Sequence, residues 1–190
     1  MFRKYSLCLS LLLSGCAPLA VGGVGSLGMS AVEDRGLSGV TSDQILRMKL
    51  NVELSNELSD FTGITLTVYK GRVLLTGVAG SEQVKADAVR IVKNDPDVVE
   101  VIDGMNVQGE DGFSEYTRDG WITTKLKTAL YADEDVIAPN YLVTTFDKVI
   151  YIFGTAETPS EMKKVIETAY DITGVKRVVN LIEVKKESPK

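Results

Sequence analysis

From residue 42 onward the chain repeats itself with a period of about 76–77 residues. Three segments match in the same order: 43–50 with 119–126, 73–77 with 150–154, and 98–103 with 175–180. Three collinear matches are difficult to obtain by chance. A chain of 190 residues built in this way is expected to form two small units of about 65 residues each rather than one large core.

Each copy shows the same order of predicted elements, αββαβ. The predicted elements are helices at 42–59 and 119–131, hairpins at 64–78 and 142–153, helices starting at Ser81 and at Thr158 or Ser160, and final strands at 98–107 and 175–184. Serine and threonine are favoured helix N-caps, and two-residue turns at Lys70-Gly71 and Asp147-Lys148 join the hairpin strands. The pattern predicts an α+β fold in which two helices cover one face of a three-stranded sheet.

Spacing of the apolar residues predicts which side of each helix faces the core. The inward residues are expected to be Leu46, Leu50, Leu54 and Leu58 in the first helix, Val84, Ala88, Ile91 and Val92 in the second, Ile122, Leu126, Ala129 and Leu130 in the third, and Met162, Ile166, Ala169 and Tyr170 in the fourth. Gly77 and Gly154 end the two hairpins at equivalent positions, where glycine permits a bend or the close approach of another backbone.

The first sixteen residues read as a secretory signal. Arg3 and Lys4 precede a short run of leucines that is too short to span a bilayer, and the run ends in Leu-Ser-Gly-Cys. This ending resembles the lipobox of bacterial lipoproteins, in which the cysteine is acylated and the signal is removed before it. We therefore expect Cys16 to carry the lipid, and Ala17 favours the outer membrane over the inner one.

The resulting domain organisation has six parts. We predict a signal at 1–15, the lipidated cysteine and a flexible glycine-rich tether at 16–41, the first repeat at 42–107, a linker at 108–117, the second repeat at 118–184, and a basic tail at 185–190. A flexible tether of about 25 residues would keep the repeats within roughly 25–30 Å of the bilayer.

Composition argues against most enzyme classes. The chain has no histidine, and both cysteines lie in its first sixteen residues, so Ser-His and Cys-His pairs and His-containing zinc sites are excluded. The acidic cluster Asp133, Glu134 and Asp135 could in principle serve a hydrolase, but its position after a helix favours a solvated turn. We expect no enzyme activity, no cofactor and no metal. The net charge of −5, lowered further by loss of the basic signal, argues against nucleic acid as a partner.

Several segments together resemble the BON family. They are the lipobox, the glycine- and valine-rich tether, "TVYKGRVLLTG", "WITTKLKTAL" and "ITGVKRVVN", and the whole arrangement is similar to the dual-BON lipoproteins of Gram-negative outer membranes. The resemblance implies an outer-membrane protein facing the periplasm that binds anionic phospholipid through the first helix of the second repeat. It also implies localisation at the division site and a role in outer-membrane integrity, with possible partners among division or outer-membrane assembly proteins.

The single tryptophan marks the same helix. Trp121 lies off the predicted apolar face and shares a stripe with Arg118 and Lys125, which suits contact with phosphatidylglycerol-type headgroups. Gly120 would let the start of the helix approach the surface, and Thr124 completes the predicted phospholipid site. The second repeat with its basic tail is also less acidic than the first.

Two alternatives remain at this point. Trp121 could instead pack on the other repeat, and the protein could be an adaptor that binds outer-membrane or cell-wall assembly proteins. Ile45 is the counterpart of Trp121 in the first repeat and lies on a second apolar stripe with Met48 and Val52. We expect that stripe to be buried within the protein and Trp121 to be exposed.

Overall fold

The computed structural model describes residues 36–59, 61–108 and 116–186, and it shows the same set of elements twice. The first set is α1 (Gly36–Glu57), β1 (Ile64–Tyr69), β2 (Arg72–Ala79), α2 (Glu82–Asn94) and β3 (Glu100–Val107). The second is α3 (Tyr116–Ala132), a 3-10 turn (Ala138–Asn140), β4 (Tyr141–Phe146), β5 (Val149–Ala156), α4 (Pro159–Tyr170) and β6 (Arg177–Val184). Cys16, the signal and most of the predicted tether lie outside the described residues.

Each repeat forms its own three-stranded sheet. The hairpin strands are antiparallel, and the last strand lies parallel to the central one, giving the orders β1-β2-β3 and β4-β5-β6. A parallel partner requires a crossover connection, which α2 and α4 supply. Ser81 and Thr158 cap these helices by accepting hydrogen bonds from backbone N–H groups. The predicted α+β class and αββαβ order are therefore confirmed.

Helix α1 begins earlier than the sequence indicated. It starts at Gly36, inside the segment assigned to the flexible tether, rather than at residue 42. The hydroxyl of Ser42 donates to the carbonyl of Ser38 at 3.0 Å. Once the packed leucines have nucleated a helix, each added residue costs little, so two glycines do not stop it from extending. Likewise, α3 begins at Tyr116, inside the predicted linker.

The predicted core positions are largely where the spacing placed them. Leu46, Leu50 and Leu54 of α1 are buried against the first sheet, and Ile122, Leu126 and Leu130 of α3 against the second. Tyr170 was predicted to face inward, but it is exposed. The buried residues of α4 are Glu161, Val165 and Ala169, and Tyr170 lies about 100° further around the helix than Ala169, off this face.

The two sheets pack against each other through the faces that their helices do not cover. Alternate residues of the central strands point to opposite sides: Ile150 and Ile152 face the helices, whereas Tyr151 and Phe153 join Leu74 in a separate core between the sheets. The ring of Tyr69 stacks on that of Phe153 with centroids 5.7 Å apart. The described residues therefore form four layers, helices–sheet–sheet–helices, with α1 and α3 in opposite outer layers.

This arrangement contradicts one prediction about α1. The stripe of Ile45, Met48 and Val52 was expected to be buried within the protein, but these residues are 62%, 66% and 58% exposed. Sequence reasoning assumed that the repeats would meet through helices. They meet through their sheets instead. The strands β2 and β5 carry apolar residues on both faces, so the sheet face that the helices do not cover must also be buried.

Candidate functional site

The indole of Trp121 lies on the outer surface of the second repeat. Its side chain is 44% exposed, whereas the next residue, Ile122, is fully buried. The tryptophan therefore neither belongs to the core nor is sealed beneath the first repeat. An indole that keeps nearly half of its surface in water on a stable helix is available for contact with another surface.

Lys125 lies one turn further along α3, and its ammonium is 5.5 Å from the centroid of the Trp121 ring. This cation–π contact is worth about 0.5–1 kcal/mol at an exposed site, and it holds a positive charge beside the indole. Arg118 is also exposed but extends toward the backbone near Gly174. The structure thus brings Trp121 and Lys125 together and places Arg118 at the edge of the same surface.

The threonines beside Trp121 expose less polar surface than is usual for threonine. The Thr124 hydroxyl donates to the carbonyl of Gly120 at 2.9 Å, and the Thr128 hydroxyl donates to the carbonyl of Thr124 at 2.9 Å. Because both hydroxyls turn back to the helix backbone, their methyl groups are left to face outward. The surface between the charged residues is therefore mainly apolar.

Tyr131 extends this surface and was missed by the sequence analysis. Trp121, Thr124, Thr128 and Tyr131 are spaced i, i+3, i+7 and i+10 and so share one side of α3, which we call the outer stripe. Tyr131 is 56% exposed. The sequence feature that could have identified Tyr131 is its helical spacing from Trp121. The two positions between them on this side of the helix are threonines, which are not usually counted as apolar.

Gly120, at the start of the outer stripe, is exposed and has open space beside it. A Cβ added there would have no heavy atom within 4 Å. This glycine is therefore not required by packing inside the described part of the protein. Its effect is to leave the backbone of the first turn uncovered on the outside of α3.

Asp119 fixes the first turn of α3 to the β4–β5 hairpin. One carboxylate oxygen accepts the N–H of Asp147 at 2.8 Å, and the other accepts the N–H of Lys148 at 2.9 Å. Both turn residues have positive φ, 48° and 60°, which is costly for residues other than glycine. In the first repeat Asp43 accepts from Lys70 and Gly71 in the same way. The repeat alignment contained this aspartate pair, but its role depends on the turn geometry.

We predict that Asp119→Ala lowers the free energy of unfolding by about 2 kcal/mol, because two hydrogen bonds to a buried carboxylate are lost and the turn keeps its unfavourable φ values. Chemical denaturation followed by circular dichroism measures this. Asp135→Ala is the matched control: it removes an exposed aspartate of the same repeat and should change stability by no more than about 0.5 kcal/mol. Equal effects of the two substitutions would show that Asp119 does not hold the turn.

The equivalent surface of α1 lacks the electrostatic features of α3. Lys49 is the counterpart of Lys125, but its ammonium pairs with Asp95 at 2.8 Å and Asp97 at 3.5 Å. Burial acts to raise the pKa of Asp95, but the Lys49 hydrogen bond and the Asp97 N–H outweigh it and hold that pKa below its usual value. Lys49 is thus neutralised by its own repeat, whereas Lys125 lies against an aromatic ring.

The acidic cluster after α3 is ion-paired. The ammonium of Lys164 lies 2.8 Å from Asp133 and 2.7 Å from Asp135. These contacts lower the pKa of Asp133 and raise that of Lys164 to about 12. A carboxyl that serves as a general acid needs a raised pKa, so this pair does not resemble a hydrolase site. Within the described ranges no group of three or more acidic residues is placed to hold a metal ion.

The two hairpin glycines leave no room for a side chain. Gly77 has a φ of 109°, and a Cβ there would collide with the carbonyl oxygen of Gly63. At Gly154 an added Cβ would lie 2.5 Å from the ring of Tyr141 and 2.6 Å from the carbonyl oxygen of Asn140. Both positions bring the start of the first hairpin strand close to the end of the second.

Comparison with known proteins gives the family of the chain. The BON-domain model matches residues 42–109 and 118–186. The outer membrane lipoprotein DolP of Haemophilus influenzae is 26% identical over 92% of this chain and 91% of its own. An uncharacterised protein from the gshII 5′ region of Anaplasma centrale is 30% identical over 75% of this chain and 95% of its own. The 21 kDa hemolysin of Actinobacillus pleuropneumoniae is 26% identical over 80% and 78%.

Among the described helices, none is sufficiently long and apolar to cross a bilayer. The family match covers both repeats, each of which has the αββαβ order described above. The chain belongs to the BON-domain family.

Proposed function

We propose that this protein is a non-catalytic, lipid-anchored protein of the outer membrane that faces the periplasm and binds anionic phospholipid through the outer stripe of α3 and the residues beside it. In this proposal Cys16 carries the lipid, and Trp121, Gly120, Arg118, Lys125 and Thr124 contact phosphatidylglycerol-type headgroups. The binding supports outer-membrane integrity at the division site. It requires no cofactor, metal or nucleic acid.

The observation that carries the proposal is the exposed indole of Trp121 with the Lys125 ammonium against its ring. Tryptophan is favoured at the membrane interface because its ring is apolar and carries one hydrogen-bond donor. A lysine beside it can meet a lipid phosphate without leaving the helix. Tyr131, ten residues further along, adds a second amphipathic ring of the kind found at headgroup depth.

The energetics suit a protein that is already anchored. Each cation near an anionic leaflet contributes about 1 kcal/mol, and the partly exposed aromatic rings add a few more. Such a site is weak in free solution. An acylated cysteine would raise its effective concentration at the bilayer to about the millimolar range, at which weak contacts are sufficient. The outer stripe would then select the lipid and the orientation rather than hold the protein on the membrane.

Relatives support the cellular setting of this proposal. The Haemophilus relative that aligns over most of both chains is named an outer membrane lipoprotein. The Leu-Ser-Gly-Cys sequence ending at Cys16 is what such an anchor requires. Two or more acyl chains at that cysteine would attach the protein stably.

Sedimentation with vesicles tests the proposal. The fragment 17–190, which retains every described residue, is mixed with phosphatidylcholine vesicles that contain increasing fractions of phosphatidylglycerol. We expect the bound fraction to rise with phosphatidylglycerol content and to fall with added salt, because the contact depends on cations. Binding that does not depend on phosphatidylglycerol content would contradict the lipid function and favour the adaptor function.

A further inference from the structure

A cavity of about 360 Å³ lies between the two repeats, beside the first turns of α3. The first repeat contributes Thr65 and Thr76 from its hairpin, and the second contributes Thr123 from α3 together with Thr144 and Thr145 from β4. Gly63 and Gly77 form part of the wall where their backbones come close. The cavity therefore exists only because the repeats pack sheet to sheet.

The lining of this cavity suits a neutral polyol. Five threonines line it, and each hydroxyl can both donate and accept, while Val143 and Phe146 give the cavity an apolar wall that can face the carbon atoms of a polyol. Its one ionisable lining residue in the described part of the chain is Asp119, whose carboxylate already accepts two backbone N–H groups. An anion placed here would meet that negative charge with no lining cation to balance it, whereas an uncharged hydroxylated group would not.

The threonine hydroxyls keep hydrogen-bonding capacity for a ligand. Thr123 donates to Thr145 at 2.7 Å, and the Thr144 hydroxyl lies 3.4 Å from that of Thr67. A hydroxyl has one donor and two acceptor lone pairs, so each such pair still offers several unfilled positions. The volume lies within the range of small-ligand pockets, and a glycerol unit fills only part of it.

The cavity adjoins the outer stripe through Gly120, which lines it and leaves open space on the outside of the helix. Lys127 is exposed and follows Thr123 by one helical turn, about 5.4 Å along the axis. A lipid whose phosphate meets Lys127 would place the group beyond that phosphate at the mouth of the cavity.

We propose that this cavity receives the terminal glycerol of phosphatidylglycerol while the outer stripe of α3 contacts the bilayer. The inference rests on the proposed lipid binding and adds the source of headgroup selectivity to it. The charge of the lipid is recognised by α3, and its polyol is recognised by threonines that both repeats supply. A lipid of equal charge without a glycerol headgroup can satisfy only the first requirement.

The test compares vesicles that contain equal fractions of phosphatidylglycerol or phosphatidylserine, which carry the same net charge. The fragment 17–190 is used because an acylated cysteine would insert into any vesicle and hide the difference. We expect binding to phosphatidylglycerol to be about fivefold tighter, the factor that about one net hydrogen bond provides. Thr65→Val, which removes a hydroxyl at constant volume, and Thr65→Phe, which fills the cavity, should bring the two affinities within about twofold.

The position of Thr65 makes this test specific. It lies on β1 of the first repeat and is not part of the outer stripe that contacts the bilayer, so affinity for phosphatidylserine should not change in either variant. Thr173→Val, at an exposed position in the second repeat, is the matched control and should retain the preference. Thermal denaturation checks folding, and Thr65→Val alone decides the outcome if the larger phenylalanine disturbs the sheet.

Different outcomes contradict different claims. Equal affinity of the unaltered fragment for the two lipids, or a preference that survives Thr65→Val, would overturn the glycerol site and leave the lipid function standing. Binding to neither lipid would overturn the lipid function itself. Saturable binding of free glycerol phosphate without vesicles would assign the cavity to a soluble polyol and overturn the lipid as its source.

Discussion

Replacing Trp121 with glutamate is expected to weaken binding to phosphatidylglycerol vesicles by about 100-fold. Loss of the indole removes roughly 2 kcal/mol of interfacial contact, and a carboxylate near an anionic leaflet adds about 1 kcal/mol of repulsion. Together these correspond to two orders of magnitude in affinity. Vesicle sedimentation of the fragment 17–190 at constant salt measures the change, and the free energy of unfolding should stay within about 0.5 kcal/mol because the side chain lies on the surface.

The internal repeat supplies a matched control for this experiment. Ile45→Glu makes the same change at the equivalent exposed position of α1, and we expect it to alter vesicle binding by less than about twofold. The reason is that α1 lies in the opposite outer layer and its Lys49 is occupied by Asp95 and Asp97. If both variants lost binding equally, the effect would reflect net charge rather than a site on α3, and if neither lost binding, Trp121 would not contact lipid.

The second large effect is expected in stability. Gly77→Ala should lower the free energy of unfolding by about 3 kcal/mol or more, because the new Cβ meets the carbonyl oxygen of Gly63 and the backbone already has a φ of 109°. Gly154→Ala should also destabilise, through its contacts with Tyr141 and Asn140. Urea denaturation of each variant, followed by circular dichroism, gives the free energies.

Gly120→Ala is the control for the glycine series. Nothing lies within 4 Å of the added Cβ, and the residue is in the body of α3. Alanine is a better helix former than glycine, so stability should rise by up to about 1 kcal/mol. Of three identical substitutions, two are therefore predicted to destabilise the protein and one to stabilise it. If Gly77→Ala behaved as Gly120→Ala does, the close approach of the two backbones at Gly63 would be wrong.

The internal repeat could be predicted from the sequence because both copies keep the same helix caps, turns and apolar spacing. Helix caps at Ser81 and Thr158 and leucines spaced along α1 each act over a few residues, and these local signals predicted the element order of both repeats. The exposed position of Trp121 could be anticipated for the same reason, since it lies off a clearly marked apolar face. Its partner Lys125 is one turn away, which is also a local relation.

Other parts of the candidate site depend on contacts that are distant in sequence. The Asp119 carboxylate reaches a turn 28 residues further along, and it does so because the turn exposes two N–H groups when its residues adopt positive φ. The threonine-lined cavity joins β1 to β4 across two repeats. The position of Tyr131 on the outer stripe could have been predicted from the sequence. The hydrogen bonds from the Thr124 and Thr128 hydroxyls to the helix backbone, which make the stripe apolar, could not.

The sequence by itself determined the number of repeats, the element order within each, and the position of Trp121 off the core face of α3, because helical spacing and strand alternation act over short distances. Only the tertiary structure decided how the repeats meet. The sheets of both repeats carry apolar residues on the face away from their helices, and packing those faces together buries five of these side chains, whereas the stripe of α1 offers three. That choice left Ile45, Met48 and Val52 in solvent and created the cavity beside α3.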